Sequence, residues 1–279
     1  MRMTLCFLVL CTFTMLPAIA DDVSVDIAQG LSGKLFLPEQ VDDPSRIVLM
    51  LHGWNSDMDE VGNLYGDLAN QLAARGIASL RFNFSGEGER VEYVVTSTSD
   101  SRIAETTQAY QRIRTQYPEA IVGVLGFSLG GLTAMAVASQ HPDWFQTMVL
   151  WSAAESTMNI ERDVAYSEAA QKAMREGRGV YTSWVDITLT RKHLASFVGV
   201  DVSLKLSEYP GPLLSIRGDQ DYVPSNERKW FSLLPTKDKT FVLIGGADHI
   251  FNVLDNPRPA YSERVIKETI DWFDRTLNF

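Results

Sequence analysis

The chain has 279 residues, 45% of them hydrophobic, and its 25 basic and 35 acidic side chains give a formal charge of −10. This is enough apolar material for one large core, and an acidic chain with no basic run or stripe argues against nucleic acid as a partner. The four histidines and two cysteines form neither H-x-x-x-H nor a cysteine-ligand pair, so no metal or organic cofactor is implied.

Residues 1–20 read as a signal peptide. Arg2 supplies a positive start, Leu5 to Leu16 a short apolar run, and Ala18-Ile19-Ala20 a small-x-small cleavage pattern ahead of Asp21 and Asp22. The apolar run is too short to span a bilayer, so the reading is cleavage after Ala20, no stable membrane anchor afterwards, and a periplasmic or secreted protein. Cys6 and Cys11 both fall inside this segment. The mature domain, residues 21–279, would hold no disulfide and no thiol nucleophile.

Asp22 to Phe36 alternates weakly and suits an antiparallel hairpin at a sheet edge. Arg46 to Leu51 reads as a buried strand running into His52-Gly53-Trp54. Leu64 to Arg75 has helical spacing and stops at Gly76, and Ile77 to Asn83 is the next strand. A glycine-containing loop, Ser85 to Gly88, leads towards a helix over Ser101 to Tyr117 that Pro118 ends. Another apolar strand follows from Ile121, then a small-residue helix to about Gln140, where His141-Pro142 closes it, and a strand over Thr147 to Trp151. From about 153 to 208 the rhythm breaks, and the stretch is read as a cap insertion over the site. Strand Leu213 to Arg217, helix Ser225 to Leu233, strand Thr240 to Ile244 and helix Glu263 to Leu277 complete the chain. Alternating strands and helices specify an α/β class: a mostly parallel central sheet with helices on both faces.

The most informative stretch is Gly126-Phe-Ser128-Leu-Gly130, a G-x-S-x-G sequence between a predicted strand and a predicted helix. A strand turning sharply into a helix strains its central residue, and flanking glycines remove side chains that would collide. A serine held there, beside a helix N-terminus that favours negative charge, needs a base and an orienting carboxylate to become a nucleophile. His249 lies in the loop after the last apolar strand, at the sheet end that carries Ser128. His52 suits a structural role in a glycine turn, His141 a helix-ending turn, and His193 the surface of the insertion. Asp219 and Asp221 both follow a strand directly and both give the chain order Ser…Asp…His.

With these motifs in hand, the chain resembles the α/β-hydrolase superfamily, in the serine aminopeptidase-like group that includes monoacylglycerol lipases and cinnamoyl esterases. The resemblance rests on His52-Gly53-Trp54, on the loop from Arg81, on the Ser128 elbow, and on Gly218-x-x-Asp221-x-Val223-Pro224 with Asp248-His249. It implies an α/β-hydrolase fold with a small cap, a Ser128–His249–Asp221 triad with Asp221 preferred over Asp219, and an oxyanion hole of the Trp54 and Leu129 backbone N–H groups. It implies cleavage of a small-molecule carboxylic ester, with short-acyl or cinnamoyl-type aromatic esters the first expectation. Trp54, Tyr181 and Trp184 are candidates for substrate contact. The chain departs from the group after Leu80, where Asn83, Ser85, Glu87 and Arg90 stand at positions that relatives fill with Asp, Arg or Asn, His and Ser. Glu87 is read as a surface charge. The rival enzyme readings are a monoacylglycerol lipase and an aminopeptidase, the latter needing cap acids such as Glu155, Glu161 or Asp163 to hold a free amine. A non-catalytic binding protein on the same scaffold is the rival from another class.

Overall fold

The computed structural model describes residues 22–87, 93–155, 164–183 and 185–278, the side chains of 203–205 excepted. The expected signal peptide, Arg90, Glu161, Asp163 and Trp184 therefore lie outside the described residues.

The chain runs β1 (Asp22–Ala28), β2 (Leu31–Phe36), β3 (Arg46–Leu51), α1 (Leu64–Ala73), β4 (Ala78–Phe82), β5 (Val94–Val95), α2 (Ser99–Gln116), β6 (Ile121–Phe127), α3 (Leu129–Gln140) and β7 (Thr147–Trp151). It continues through α4 (Val164–Glu176), β8 (Arg178–Thr182), β9 (Asp186–Thr190), α5 (Arg191–Ser196), β10 (Leu213–Gly218), α6 (Glu227–Leu233), β11 (Lys239–Ile244) and α7 (Tyr261–Thr276). Among the described residues the main sheet has eight strands, in the order β1-β2-β4-β3-β6-β7-β10-β11. The β1–β2 and β2–β4 pairs are antiparallel and every later pair is parallel. This is the mostly parallel sheet with an edge hairpin expected from the strand–helix rhythm, and the α/β-hydrolase arrangement that the resemblance implies.

Side chains of the central strands alternate between two cores, because successive residues of a strand point to opposite faces. Ile47, Leu49 and Leu51 of β3 join the core beneath α2 and α3, where Ala109, Ile113 and Leu132 pack. Val48 and Met50 join the core beneath α1 and α7, with Leu64, Leu68, Leu72, Val265 and Phe273. Both faces are closed, so these strands read as continuous apolar runs. Each fully buried aliphatic side chain contributes about 1.5–3 kcal/mol.

Helix α2 begins two residues before the expected Ser101. The Thr98 side chain accepts from the Ser101 N–H at 3.0 Å and Ser101 Oγ accepts from the Thr98 N–H at 2.9 Å. This reciprocal cap makes Thr98 the N-cap and starts the helix at Ser99. A second sheet of three strands, β5-β9-β8, was not foreseen. Its β8 and β9 come from the 153–208 stretch, but β5 comes from the loop ahead of α2 and pairs in parallel with β9 through Val94↔Thr188 and Val95↔Leu189. With α4 and α5 it encloses a small core of its own, containing Val95, Ala169, Ala173, Tyr181, Ile187 and Leu189. The small layer is thus tied to the main domain by a segment remote from it in sequence.

Candidate functional site

Ser128 sits between β6 and α3 at φ 52°, ψ −114°, outside the regions that non-glycine residues ordinarily occupy. The two flanking glycines are required by the backbone around the turn rather than by Ser128 itself. A Cβ on Gly126 would stand 2.4 Å from the Gly130 carbonyl oxygen, and one on Gly130 would stand 1.9 Å from the Leu51 carbonyl oxygen. Without those side chains, the first turn of α3 packs directly against the C-terminal end of β3 and holds the serine where strand becomes helix.

His249 approaches from the loop after β11. Its Nε2 lies 3.1 Å from Ser128 Oγ, and its Nδ1 lies 2.7 Å from Asp221 Oδ1. Burial pushes the Asp221 carboxyl up, but the hydrogen bond and charge of His249, the Arg217 guanidinium and the Val223 amide outweigh it and hold the group below the ordinary carboxylate range. An ionised carboxylate only accepts, so His249 Nδ1 carries the proton and Nε2 is left to accept from the Ser128 hydroxyl. The imidazole is buried, between Phe127 and Tyr222 at ring-centroid distances of 5.3 Å and 4.6 Å. The structure thus brings Ser128, His249 and Asp221 into one hydrogen-bonded series. Asp219 stays out of it: its Oδ1 accepts from the Gly246 N–H at 2.7 Å and ties two loops together.

The cavity over Ser128 measures about 750 Å³ and is lined by Trp54, Phe127, Tyr181, Ile187, Tyr222, Ile250 and Leu254, with Asp57 and Glu60 on one side. Among the described residues that line it there is no lysine or arginine. Trp54 meets Tyr166 edge to face at 6.2 Å, and Tyr166 meets Tyr181 at 5.3 Å, so an aromatic series joins the turn after β3 to the small sheet. Leu129 opens α3 immediately after Ser128 and is buried.

Two expectations are corrected. Glu87 is not a surface charge: its side chain is fully buried, and it accepts from the Asn55 N–H at 2.6 Å, from Ser97 Oγ at 2.5 Å and from Arg102 Nη1 at 2.6 Å. Burial raises its carboxyl, but the Arg102 charge prevails and holds it low. His193 is not on the surface either: it is buried in α5 with Nδ1 2.8 Å from the Ser97 carbonyl, and burial pushes its imidazole down. Neither environment was legible, because the partner Arg102 lies on α2 and α5 docks against a segment about a hundred residues away. His52 has the structural role expected of it, accepting from the Phe84 N–H through Nε2 at 3.0 Å. His141 caps the end of α3.

Sequence reasoning missed Glu60, Arg102, Arg217 and Glu227. Arg217 is buried on β10. It donates to Asp221 Oδ2 at 2.7 Å, to Glu227 Oε1 at 2.8 Å and to the carbonyls of Val223 and Ala153 at 2.7 Å and 2.6 Å. An arginine inside an otherwise apolar strand is a readable sign of a buried carboxylate partner. Of the cap acids considered for binding an amine, Glu155 is engaged by Lys229 at 2.5 Å.

The family profile described as serine aminopeptidase, S33 matches residues 42–198. Mouse (Mus musculus) monoglyceride lipase is 27% identical over 110 residues, which is 39% of this chain and 35% of that protein; the match therefore spans about a third of the relative's length. Among solved structures, Est1E from Butyrivibrio proteoclasticus superimposes with a TM-score of 0.67 at 16% identity, over 91% of this chain and 98% of its own. A monoacylglycerol lipase from Paleococcus ferrophilus gives 0.64 at 18% identity over 88% and 99%. Dienelactone hydrolase from Anabaena variabilis gives 0.63 at 19% identity over 94% and 100%. At such identities the structural likenesses establish the fold. The profile match, over more than half of the chain, establishes the family: this protein belongs to the serine aminopeptidase, S33 family of α/β-hydrolases.

Proposed function

We propose that this protein is a serine hydrolase of carboxylic esters, working through an acyl-enzyme on Ser128. The observation that carries this reading is the series Ser128 Oγ–His249 Nε2 at 3.1 Å and His249 Nδ1–Asp221 Oδ1 at 2.7 Å, at the wall of an open, mainly apolar cavity. Ser128 Oγ attacks the ester carbonyl while its proton passes to His249 Nε2. The tetrahedral oxyanion is held by the backbone N–H groups of Trp54 and Leu129. His249 returns the proton to the departing alcohol, and Asp221 fixes the tautomer and stabilises the imidazolium. Water then enters by the same route and releases the acid. One oxyanion donor is worth about 3 kcal/mol at the transition state.

The cavity supports neutral, short-acyl or aromatic esters as substrates. Its aromatic and aliphatic walls favour apolar groups, and Asp57 and Glu60, with no lysine or arginine among the described lining residues, disfavour an anionic one. The structural neighbour Est1E has been solved with ferulic acid bound, which agrees with an aromatic acyl group. For the aminopeptidase alternative, Glu155 is already paired with Lys229, which leaves Glu161 and Asp163 as its amine-binding candidates. A panel of p-nitrophenyl esters from acetate to decanoate, run beside methyl ferulate, an aminoacyl anilide and a monoacylglycerol, tests the reading. Turnover should be highest on short or aromatic esters. Preference for the anilide or for long-chain acylglycerol would overturn it.

The N-terminal pattern supports export to the periplasm or exterior with cleavage after Ala20. N-terminal sequencing of the exported protein should start at Asp21; a retained Met1 would refute cleavage.

A further inference from the structure

We propose that Glu60 and Glu87 are positioning residues for the Trp54 amide, acting by clamping the peptide units on either side of it. The inference rests on the esterase reading, in which that amide binds the oxyanion. It concerns two carboxylates that the triad chemistry does not use.

Three successive peptide units make up the turn after β3, and each is anchored by a buried side chain. The unit joining His52 to Gly53 is held at both edges: Arg102 Nη2 donates to the His52 carbonyl at 2.6 Å, and the Gly53 N–H donates to Glu60 Oε1 at 2.5 Å. In the unit joining Gly53 to Trp54, the Gly53 carbonyl lies 2.7 Å from His52 Nδ1. Because His52 Nε2 accepts from the Phe84 N–H, Nδ1 carries the ring proton and donates it. In the third unit, the Asn55 N–H donates to Glu87 Oε2 at 2.6 Å, and Glu87 is locked in turn by Arg102. The unit bearing the Trp54 amide is therefore flanked by two others fixed from different elements: the turn before α1, the loop after β4, and α2.

The turn lies against the nucleophile. A Cβ on Gly53 would be 3.4 Å from the Ser128 Cβ and 3.2 Å from Glu60 Oε1. Glu60 itself is buried and held at φ 61°, ψ 167°, a region that residues other than glycine rarely occupy. Ser56 Oγ and the Val61 N–H donate to its other oxygen at 2.8 Å and 2.9 Å. A buried carboxyl in a strained backbone, receiving three hydrogen bonds, is an expensive way to fill a core. Its cost is understandable if it fixes an amide whose placement sets a rate, since displacement of a catalytic group by about 1 Å can cost ~10²-fold.

The test compares wild type, Glu60→Ala, Glu60→Gln and Glu87→Gln in kcat and KM on a p-nitrophenyl ester and in Ki for a trifluoromethyl ketone, whose serine adduct carries an oxyanion. Glu60→Ala should lower kcat by about 10²-fold with KM within about threefold, and weaken the ketone by a similar factor. Glu60→Gln, which keeps an acceptor for the Gly53 N–H, should recover part of both. Glu87→Gln should lower kcat and weaken the ketone in parallel; a folded Glu60→Ala or Glu87→Gln with unchanged kcat and Ki overturns the proposal. If Glu60→Ala does not fold, Glu60→Gln and Ser56→Ala decide: wild-type kcat and Ki in both overturn it, and a parallel fall in both supports it. An inert wild type would refute the esterase reading and the proposal with it, whereas an active wild type with an equally active Glu60 variant refutes the proposal alone.

Discussion

Arg217 holds the Asp221 carboxylate by the oxygen that His249 does not use: Nη1 donates to Oδ2 at 2.7 Å while His249 Nδ1 donates to Oδ1 at 2.7 Å. The same guanidinium binds Glu227, so one buried cation serves two buried carboxylates. Removing one partner of a buried pair leaves an uncompensated charge and costs about 3–5 kcal/mol. Arg217→Met should therefore lower unfolding free energy by about that amount in urea titration, and lower kcat as well, because Asp221 loses one of its three hydrogen bonds and its one cationic neighbour on Oδ2. Arg217→Lys should recover only part, since an ammonium cannot reproduce the planar fork. A fully stable, fully active Arg217→Met would contradict this.

The two aspartates of the β10 loop should separate cleanly. Asp221→Asn keeps the shape but permits the wrong His249 tautomer, and such a change costs on the order of 10⁴-fold in kcat. Asp219→Asn weakens the bonds from the Gly246 N–H and the Gln220 side chain, neither of which touches His249, and should leave kcat within a few-fold. The reverse ranking would reassign the acid.

The contrast between what could and could not be read from the chain follows from how far apart the partners lie. Ser128 and its glycines are local: the turn, its strain and the helix start are read from five adjacent residues, although the close approach of Gly130 to Leu51 that explains the second glycine shows only in the fold. Arg46–Leu51 and Thr147–Trp151 were legible to the residue, because both are apolar on two faces. The boundary of α2 lies two residues earlier than expected because Ser101 is the N3 partner of the Thr98 cap and not the start of the helix. Glu87 and His193 were misread because their surroundings come from α2 and from the segment carrying Ser97. The pairing of β5 with β9 has no local signal, since two valines ahead of a helix do not announce a strand. For Glu60, its spacing from Gly53 carried no motif, and only the folded turn joins them.

Asp221 and Glu60 should leave opposite signatures in the pH dependence of stability. Asp221 is held below its ordinary value of 3.8 by His249, Arg217 and Val223 against the effect of burial. Its contribution is therefore present above about pH 4 and lost as pH falls through its folded value. Glu60 is the reverse case: burial pushes it from 4.5 up to about 7, against the hydrogen bonds from Gly53, Val61 and Ser56. Its folded form binds the proton more tightly than the unfolded chain, so its contribution is full below pH 4.5 and fades between 4.5 and about 7. Unfolding free energy measured from pH 4 to 8 should decline less steeply across that window in Glu60→Gln than in wild type. An identical slope in the two proteins would refute the assignment.

Charge and size in the cavity should show in the substrate profile. With Asp57 and Glu60 in its lining, a neutral p-nitrophenyl butyrate should have kcat/KM at least about tenfold above the succinate half-ester of similar size, and added salt should narrow the gap by screening. Tyr181→Ala should enlarge the space beside Trp54 and shift the optimum towards longer acyl chains. Equal rates on the two esters, insensitive to salt, would remove the electrostatic argument.

The most direct measurement is reaction with a fluorophosphonate followed by peptide mass mapping. A serine made nucleophilic by His249 and Asp221 should take up one phosphonyl group per chain, located on Ser128 and absent from Ser128→Ala. Labelling of folded His249→Ala should be slower by several orders of magnitude. Folded wild-type protein that stays unlabelled, or a label found on another serine, would contradict the account.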